Sequence, residues 1–225
     1  MVEKEILSAE EAVSRIKDGD VVMLGGFMGC GSPAGLLTKL RDSGKKDMTL
    51  VCNDCGWHNE KIEKYTEVAY NIIDKQFSKV ITTHIGLNQE IQRQMIAGET
   101  EVELVPQGTL AERIRTAGAG LGGFLTPTGV GTEVEEGKTV IEEDGVKYLL
   151  EKPLKGNVAI LRAAKADKAG NLVYSKSARN FNPVMATACD LVIVEADEIV
   201  EIGELDPECI VTPSVFVNIL VGGSK

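Results

Sequence analysis

The sequence has few aromatic residues, little histidine and no long apolar run. Aromatic side chains make up 4% of the 225 residues, and histidine occurs 2 times. No stretch reaches the roughly 18 consecutive apolar residues that a membrane-spanning helix needs. The charged start, Met1-Val2-Glu3-Lys4-Glu5, lacks the apolar core of a secretion signal. We therefore expect a cytoplasmic protein without a membrane segment.

Positive charge is also scarce. The chain has 24 Lys and Arg residues against 34 Asp and Glu residues, a formal net charge of -10 at pH 7. This balance argues against a nucleic-acid partner, because a phosphate backbone is bound by a surplus of basic residues on one face. The 5 cysteines are an odd number, which indicates reduced thiols. The single Cys-x-x-Cys, Cys52 to Cys55, has no second pair, so no metal site is predicted.

Short apolar segments alternate with helical patterns along the chain. Strands buried on both faces are predicted over 20–24, 48–52, 79–83, 101–105, 158–163 and 190–195. Helices are predicted from Ser8 to Gly19 and over 33–43, 59–73, 88–97 and 109–117. The alternation predicts a single α/β domain over 1–225, with a mostly parallel open sheet covered by helices. Asp144-Gly145 between two apolar segments predicts an added β-hairpin near 138–150, after a long Gly/Thr/Pro loop over 118–133.

A glycine-rich loop follows the first of these strands, with glycine at positions 25, 26, 29 and 31. Such density favours positive φ angles or a close approach of main chain to a ligand. Ser32 and Pro33 predict an N-cap and a first helical residue, so the helix N-terminus would receive an anion or a thioester carbonyl. The pattern Gly-x-Gly-x-x-Ala over 29–34 also fits a dinucleotide-binding fingerprint. A dinucleotide-binding oxidoreductase is therefore one open alternative.

A longer series of motifs gives a more specific interpretation. The stretch from Asp18 to Pro33, with Gly-Gly-Phe and then Gly-x-Pro, resembles the first signature of the family I coenzyme A transferases. The likeness continues in order through 101–115, 120–129, 177–183 and 210–213, and segment 56–76 departs from the family pattern. The resemblance covers nearly the whole chain and implies the CoA-transferase fold and an α subunit.

The resemblance implies a transfer of CoA between a short-chain acyl-CoA, such as acetyl-, butyryl- or acetoacetyl-CoA, and a carboxylic acid. The reaction would be ping-pong through a glutamyl-CoA thioester, with CoA as a substrate and no permanently bound cofactor. The family's catalytic Ser-Glu-Asn-Gly segment is absent from this sequence. The nucleophilic glutamate is therefore expected on a separate β subunit, in an α2β2 assembly.

The resemblance also implies site residues. Asn53 and Gln107 match positions that line the active site, where amide N–H groups would bind an acyl oxygen or a carboxylate. The backbone of the glycine-rich loop would contact CoA, through Gly25, Gly26, Phe27, Met28, Gly29, Cys30 and Gly31. The Phe27 side chain is interpreted as a core anchor that holds this loop down. A non-catalytic sensor of acyl-CoA or of a phosphosugar, built on the same fold, is the second alternative.

Overall fold

The computed structural model describes residues 2–223 and contains one main sheet of nine strands. Met1, Ser224 and Lys225, which the predicted domain over 1–225 includes, lie outside the described residues. In chain order the strands are β1 (Glu5–Leu7), β2 (Val21–Leu24), β3 (Met48–Cys52), β4 (His58–Asn59), β5 (Lys64–Tyr65), β6 (Phe77–Thr82), β7 (Glu101–Leu104), β8 (Phe124–Thr126), β9 (Val140–Glu143), β10 (Val146–Glu151), β11 (Gly156–Asp167), β12 (Leu172–Val173), β13 (Cys189–Val200) and β14 (Ile219–Gly222).

Eight strands of the main sheet follow the order β1-β14-β13-β11-β2-β3-β6-β7, with parallel neighbours, and the ninth, β12, pairs antiparallel with β11. From β2 the chain runs outward through β3 and β6 to β7. It then returns to β11, beside β2, and builds the other half of the sheet. The carboxyl ends of β2 and β11 thus flank the point where strand order reverses, at which open α/β sheets bind their ligands. The predicted mostly parallel α/β sheet is confirmed.

Helices cover both faces of this sheet. They are α1 (Ala9–Ser14), α2 (Ala34–Asp42), α3 (Glu67–Ile73), α4 (Gln89–Ile96), α5 (Gln107–Gly118) and α6 (Asn182–Ala186). The first four pack on one face, with Leu40 and Ile72 in their buried cluster, and the last two pack on the other, with Ile114. Leu50 and Val51 are neighbours in β3 but belong to opposite clusters. Both faces are therefore apolar, which explains strands without polar alternation. None of the described helices is long and apolar enough to cross a membrane.

Two predicted helix ends lie elsewhere in the structure. The Ser8–Glu11 capping box forms, but the first helix ends at Ser14 and not at Gly19. Its last turn tightens, because the N–H groups of residues 15 and 16 donate to carbonyls three residues back. The second helix begins at Ala34 with Pro33 in the N-cap position and no side-chain cap. The predicted N-cap serine at position 32 was therefore wrong.

The helix predicted over 59–73 is wrong in its first half. Strands β4 and β5 form a short antiparallel ribbon there, joined by a 3₁₀ turn over 60–62. The Asn59 side chain accepts a hydrogen bond from the Lys61 N–H at 3.1 Å, and Glu63 adopts a left-handed φ of 49°. Local bonding of the asparagine side chain competes with helix formation, so the helix starts only at Glu67.

The predicted hairpin near 138–150 is confirmed as β9 and β10. Asp144 and Gly145 take φ angles of 50° and 75° at its tight turn, the geometry that this dipeptide favours. Strand β8 pairs with β10 and makes a small three-stranded sheet, so the predicted loop over 118–133 contains a strand. The sequence-based prediction also lacks β1, β12, β14 and α6, which are all short.

Candidate functional site

The exposed tip of the glycine-rich loop is a tight β-turn at the carboxyl end of β2. Phe27 and Cys30 exchange two backbone hydrogen bonds of 2.9 Å each. Met28 and Gly29 lie between them with φ angles of 50° and 87°. Two successive positive φ angles correspond to the type I′ turn. We refer to residues 27–30 as the glycine turn.

The glycines at the base of the loop are buried against the chain itself. A Cβ on Gly25 would lie 1.9 Å from Asn182 Oδ1, and a Cβ on Gly31 would lie 2.6 Å from the Ala178 carbonyl oxygen. These close contacts account for glycine at both positions without any ligand. Within the loop, the residues exposed to a ligand are therefore those of the glycine turn.

Side chains from two distant segments hold the glycine turn. Asn180 Oδ1 accepts a hydrogen bond from the Gly26 N–H at 3.1 Å, and Asn180 Nδ2 donates to the Cys30 carbonyl at 3.0 Å. From the other direction, Asp54 Oδ2 accepts from the Met28 N–H at 2.9 Å. The turn is thus restrained by partners at both its base and its tip.

The two predicted site amides lie in contact. Asn53 follows β3 and is 1% exposed, whereas Gln107 is the exposed first residue of α5. Gln107 Nε2 donates to Asn53 Oδ1 at 2.5 Å, and Asn53 Nδ2 donates to Asp54 Oδ2 at 2.8 Å. Asn53 therefore supports Gln107 from beneath, and Gln107 is the amide of this pair that faces outward.

An open apolar pocket of about 320 Å³ lies between the glycine turn and α5. Phe27, Gln107, Ala111, Phe181 and Val184 form most of its wall. Its lining residues carry no carboxylate, thiol, hydroxyl or imidazole. The interpretation of Phe27 as a core anchor was wrong: its side chain is 43% exposed, because the turn points it away from the core and along the pocket.

The N-terminus of α2 holds a carboxylate that belongs to the chain. Glu195 of β13 is 6% exposed, and its Oε2 accepts a hydrogen bond from the Leu36 N–H at 2.8 Å. A Cβ on Gly35 would lie 3.0 Å from the same oxygen. Glu195 occupies the place where a dinucleotide pyrophosphate would bind. The prediction that this helix end receives a ligand anion was therefore wrong, and the dinucleotide fingerprint loses its physical basis.

The Cys-x-x-Cys pair lies beneath the site. Cys52 and Cys55 are 1% and 0% exposed. A hydrogen bond with the Cys55 thiol, together with burial, raises the pKa of Cys52 well above its ordinary value. Both side chains therefore act as small apolar groups at the end of a strand.

Sequence reasoning did not single out the residues that hold the glycine turn. Asp54 was not among the candidate site residues, and Asn180 and Asn182 lie only within the motif over 177–183. The available signal was the Asn53-Asp54 pair directly after a predicted strand and the two asparagines of the motif over 177–183. Their partners, however, lie 26 to 154 positions away along the chain.

Comparisons with known proteins show which family the chain resembles. The chain matches the family described as "Coenzyme A transferase" over residues 6–223. It is 48% identical over 217 residues to "Acetate CoA-transferase subunit alpha" of Escherichia coli (strain K12), a match that covers 96% of both chains. It is 42% identical over 217 residues to "Acetoacetyl-CoA:acetate/butyrate CoA transferase alpha subunit" of Clostridium acetobutylicum, covering 96% of this chain and 97% of that one.

Solved structures at lower identity share the fold. An acyl-CoA transferase from E. coli O157:H7, determined as a thioester complex with CoA, superposes with a TM-score of 0.86 at 20% identity. The match covers 98% of this chain and 47% of that one, so this chain spans about half of that protein. Glutaconate coenzyme A-transferase from Acidaminococcus fermentans gives a TM-score of 0.83 at 18% identity, covering 97% and 75% of the two chains. The family match over residues 6–223 shows that the chain belongs to the coenzyme A transferase family.

Proposed function

We propose that this chain is the α subunit of a CoA-transferase that moves CoA between a short-chain acyl-CoA and a carboxylic acid. The observation that carries the proposal is the exposed Gln107 amide at the wall of an apolar pocket whose lining contains no nucleophile. Such a half-site binds and polarises an acyl group but needs a nucleophile from another chain. Relatives named as alpha subunits support a β partner that supplies a glutamate, in an α2β2 assembly.

The proposed chemistry is a double displacement. A glutamate carboxylate of the β subunit attacks the thioester carbonyl, the C–S bond breaks, and an acyl-glutamyl anhydride and CoA thiolate form. The thiolate then attacks the glutamyl carbonyl, which releases the first carboxylic acid and leaves a glutamyl-CoA thioester. A second carboxylate reverses both steps. CoA is therefore a substrate, and no permanently bound cofactor is required.

Gln107 supplies a hydrogen-bond donor for the charge that develops during these attacks. One N–H of Gln107 Nε2 is used by Asn53, so the second N–H is available to an acyl oxygen or a carboxylate. A donor placed at a developing oxyanion typically contributes roughly 3 kcal/mol to the lowering of the barrier. Asn53 contributes by holding Gln107 in this orientation.

The pocket wall supports a short, mainly apolar acyl group. Phe27, Phe181 and Val184 present carbon surface, and Ala111 leaves room between them. Acetyl, butyryl and acetoacetyl groups match this chemistry, and acetate and butyrate are named for a relative. A methylene of the acyl chain is worth about 1 to 3 kcal/mol in such a pocket, so these side chains would determine the preferred length.

The subunit assignment is tested by isolating the tagged chain from its own cells and recording native mass spectra and transferase activity. We expect a stoichiometric partner that carries Ser-Glu-Asn-Gly, and exchange of CoA between acetyl-CoA and butyrate only when this partner is present. Exchange by the chain alone would contradict the assignment. A partner-free homo-oligomer that binds acyl-CoA without turnover would instead support the sensor alternative.

The role of Gln107 is tested by Gln107→Ala in the assembled enzyme. We expect kcat/KM to fall about 100-fold, because the donor to the acyl oxygen is lost. Gln89→Ala is the matched control, since Gln89 is the exposed first residue of α4 on the opposite face of the sheet. An unchanged kcat/KM for Gln107→Ala would remove this residue from the reaction.

A further inference from the structure

We infer that Asp54 is a positioning residue that joins the site amides to the glycine turn; the inference rests on the proposed function. Asp54 is 8% exposed and accepts three hydrogen bonds. Its Oδ2 accepts from Asn53 Nδ2 at 2.8 Å and from the Met28 N–H at 2.9 Å. Its Oδ1 accepts from the Gly56 N–H at 2.8 Å. One buried carboxylate thus bonds Asn53, which holds Gln107 at one wall of the pocket, and Met28, which follows Phe27 at the other wall.

The charge of Asp54 determines how the two site amides are oriented. An ionised carboxylate only accepts hydrogen bonds, so Asn53 must turn its NH₂ group toward Asp54 and its oxygen toward Gln107. Gln107 must in turn direct its NH₂ group to the Asn53 oxygen. Asp54 therefore determines, through Asn53, that Gln107 presents a donor to the substrate. Without this carboxylate, either amide could rotate and present oxygen where a donor is needed.

Asp54 also stabilises the unusual backbone of the glycine turn. Met28 has a left-handed φ of 50°, a backbone conformation that is unfavourable for an L-residue. The hydrogen bond from its N–H to a buried carboxylate is charge-assisted and offsets this cost. Because Phe27 precedes Met28, the same bond fixes the side chain that forms the opposite wall of the pocket.

The test compares Asp54→Ala and Asp54→Asn in the enzyme reconstituted with its β subunit. We expect kcat/KM to fall about 10- to 100-fold for alanine, since displacements of about 1 Å can cost this much. We expect a smaller fall, about three- to tenfold, for asparagine, whose oxygen can replace Oδ2 as acceptor for Asn53 and Met28, whereas its NH₂ group would face the Gly56 N–H, which is also a donor. The control is Asp167→Ala, which removes another buried carboxylate, one that accepts from Asn171 at a distant turn.

A double mutant separates positioning from a general loss of stability. If Asp54 acts through Asn53 and Gln107, the loss in Asp54→Ala/Gln107→Ala is smaller than the product of the two single losses. If the double mutant loses the full product of the two single losses in kcat/KM, the two residues act independently and the inference is overturned. An Asp54→Asn variant with wild-type kcat/KM would also overturn the inference. If Asp54→Ala does not fold, the test is made with Asp54→Asn.

Hydrogen exchange gives a readout that does not depend on activity. In Asp54→Ala we expect faster amide exchange in peptides that contain 25–31 and 53–57, with the rest of the chain unchanged. Faster exchange throughout the chain would show a merely structural role and overturn the inference. An inactive wild-type complex would count against the proposed function. An active wild type with an equally active Asp54→Ala would count against this inference alone.

Discussion

Gly25 shows how closely main chain and side chain pack at the base of the site. Asn182 Oδ1 accepts from the Arg162 N–H at 3.1 Å and leaves no room for a Cβ at Gly25. We expect Gly25→Ala to lower the free energy of unfolding by about 1 to 3 kcal/mol, the usual cost of overpacking. Urea denaturation of the assembled protein measures this change.

Gly122→Ala is the control for that measurement, because no atom lies within 4 Å of a Cβ at Gly122. The two variants add the same methyl group, so a difference between them reports the local packing. Equal denaturation midpoints would show that Asn182 moves aside without cost and would contradict the prediction.

Individual site residues were predictable to different degrees. Asn53 and Gln107 could be proposed from motif resemblance, and the structure brings them within 2.5 Å of one another. Phe27 could not be placed, because an aromatic residue in a glycine-rich loop fits a core position and a pocket wall equally well. Asp54 and Asn180 act on backbone groups that the sequence does not identify. The role of Asn180 depends on how the two halves of the sheet meet, and that of Asp54 on how the segments after β2 and β3 meet.

Helix α5, which presents Gln107, is attached to the edge strand β7 by a partly buried ion pair. The Arg113 side chain is 15% exposed, and its Nη1 lies 2.8 Å from Glu103 Oε1. Burial opposes ionisation of Glu103, but the hydrogen bond and charge of Arg113, with Lys79 nearby, hold the pKa of Glu103 below its usual range. Glu103 therefore contributes stability while it is ionised.

We expect Arg113→Ala to lower the free energy of unfolding by about 1 kcal/mol at neutral pH, a modest value because Glu103 is partly exposed. The ion pair of Arg113 with Glu103 contributes its full stability above the unfolded pKa of Glu103. This stability is lost as the pH falls through the lower pKa that Glu103 has in the folded chain. The difference in free energy of unfolding between wild type and Arg113→Ala should therefore shrink as the pH of the denaturation experiment drops below about 4. Arg115→Ala, which removes a half-exposed partner of Glu112, is the control. A gap that stays constant with pH would contradict the assignment to Glu103.

Elements were predictable where their own residues dominate. Strands β2, β3 and β6 are rich in buried apolar residues and were found within two residues of their ends. The ribbon of β4 and β5 was missed because the apolar spacing of this segment is typical of a helix. Its shape comes instead from the hydrogen bond of the Asn59 side chain and from the left-handed backbone of Glu63. Strand β14 exists because β1 and β13 pair with it on either side, which no local pattern shows.

For the molecule as a whole, the five thiols report on the integrity of the fold. Cys30, in the glycine turn, and Cys209 are exposed. The charge of Asp206 raises the pKa of Cys209, and burial raises the pKa of Cys189 to about 12. Iodoacetamide followed by peptide mass spectrometry should therefore modify Cys30 first and Cys209 more slowly in the native chain. The remaining thiols, Cys52, Cys55 and Cys189, should react only after unfolding. Native modification of Cys52 or Cys55 would contradict the buried arrangement.

The bonds that hold the glycine turn join distant parts of the chain. Gly26 is separated from Asn180 by 154 positions, and Gly31 from Asn182 by 151. Contacts of such separation form late in folding, after the loop between them has closed. During synthesis, the first half of the chain can emerge and collapse while the turn still lacks both asparagines. The observed geometry of the glycine turn thus arises only once the segment that carries both asparagines has been made and has docked, so a chain truncated before Asn180 would lack it.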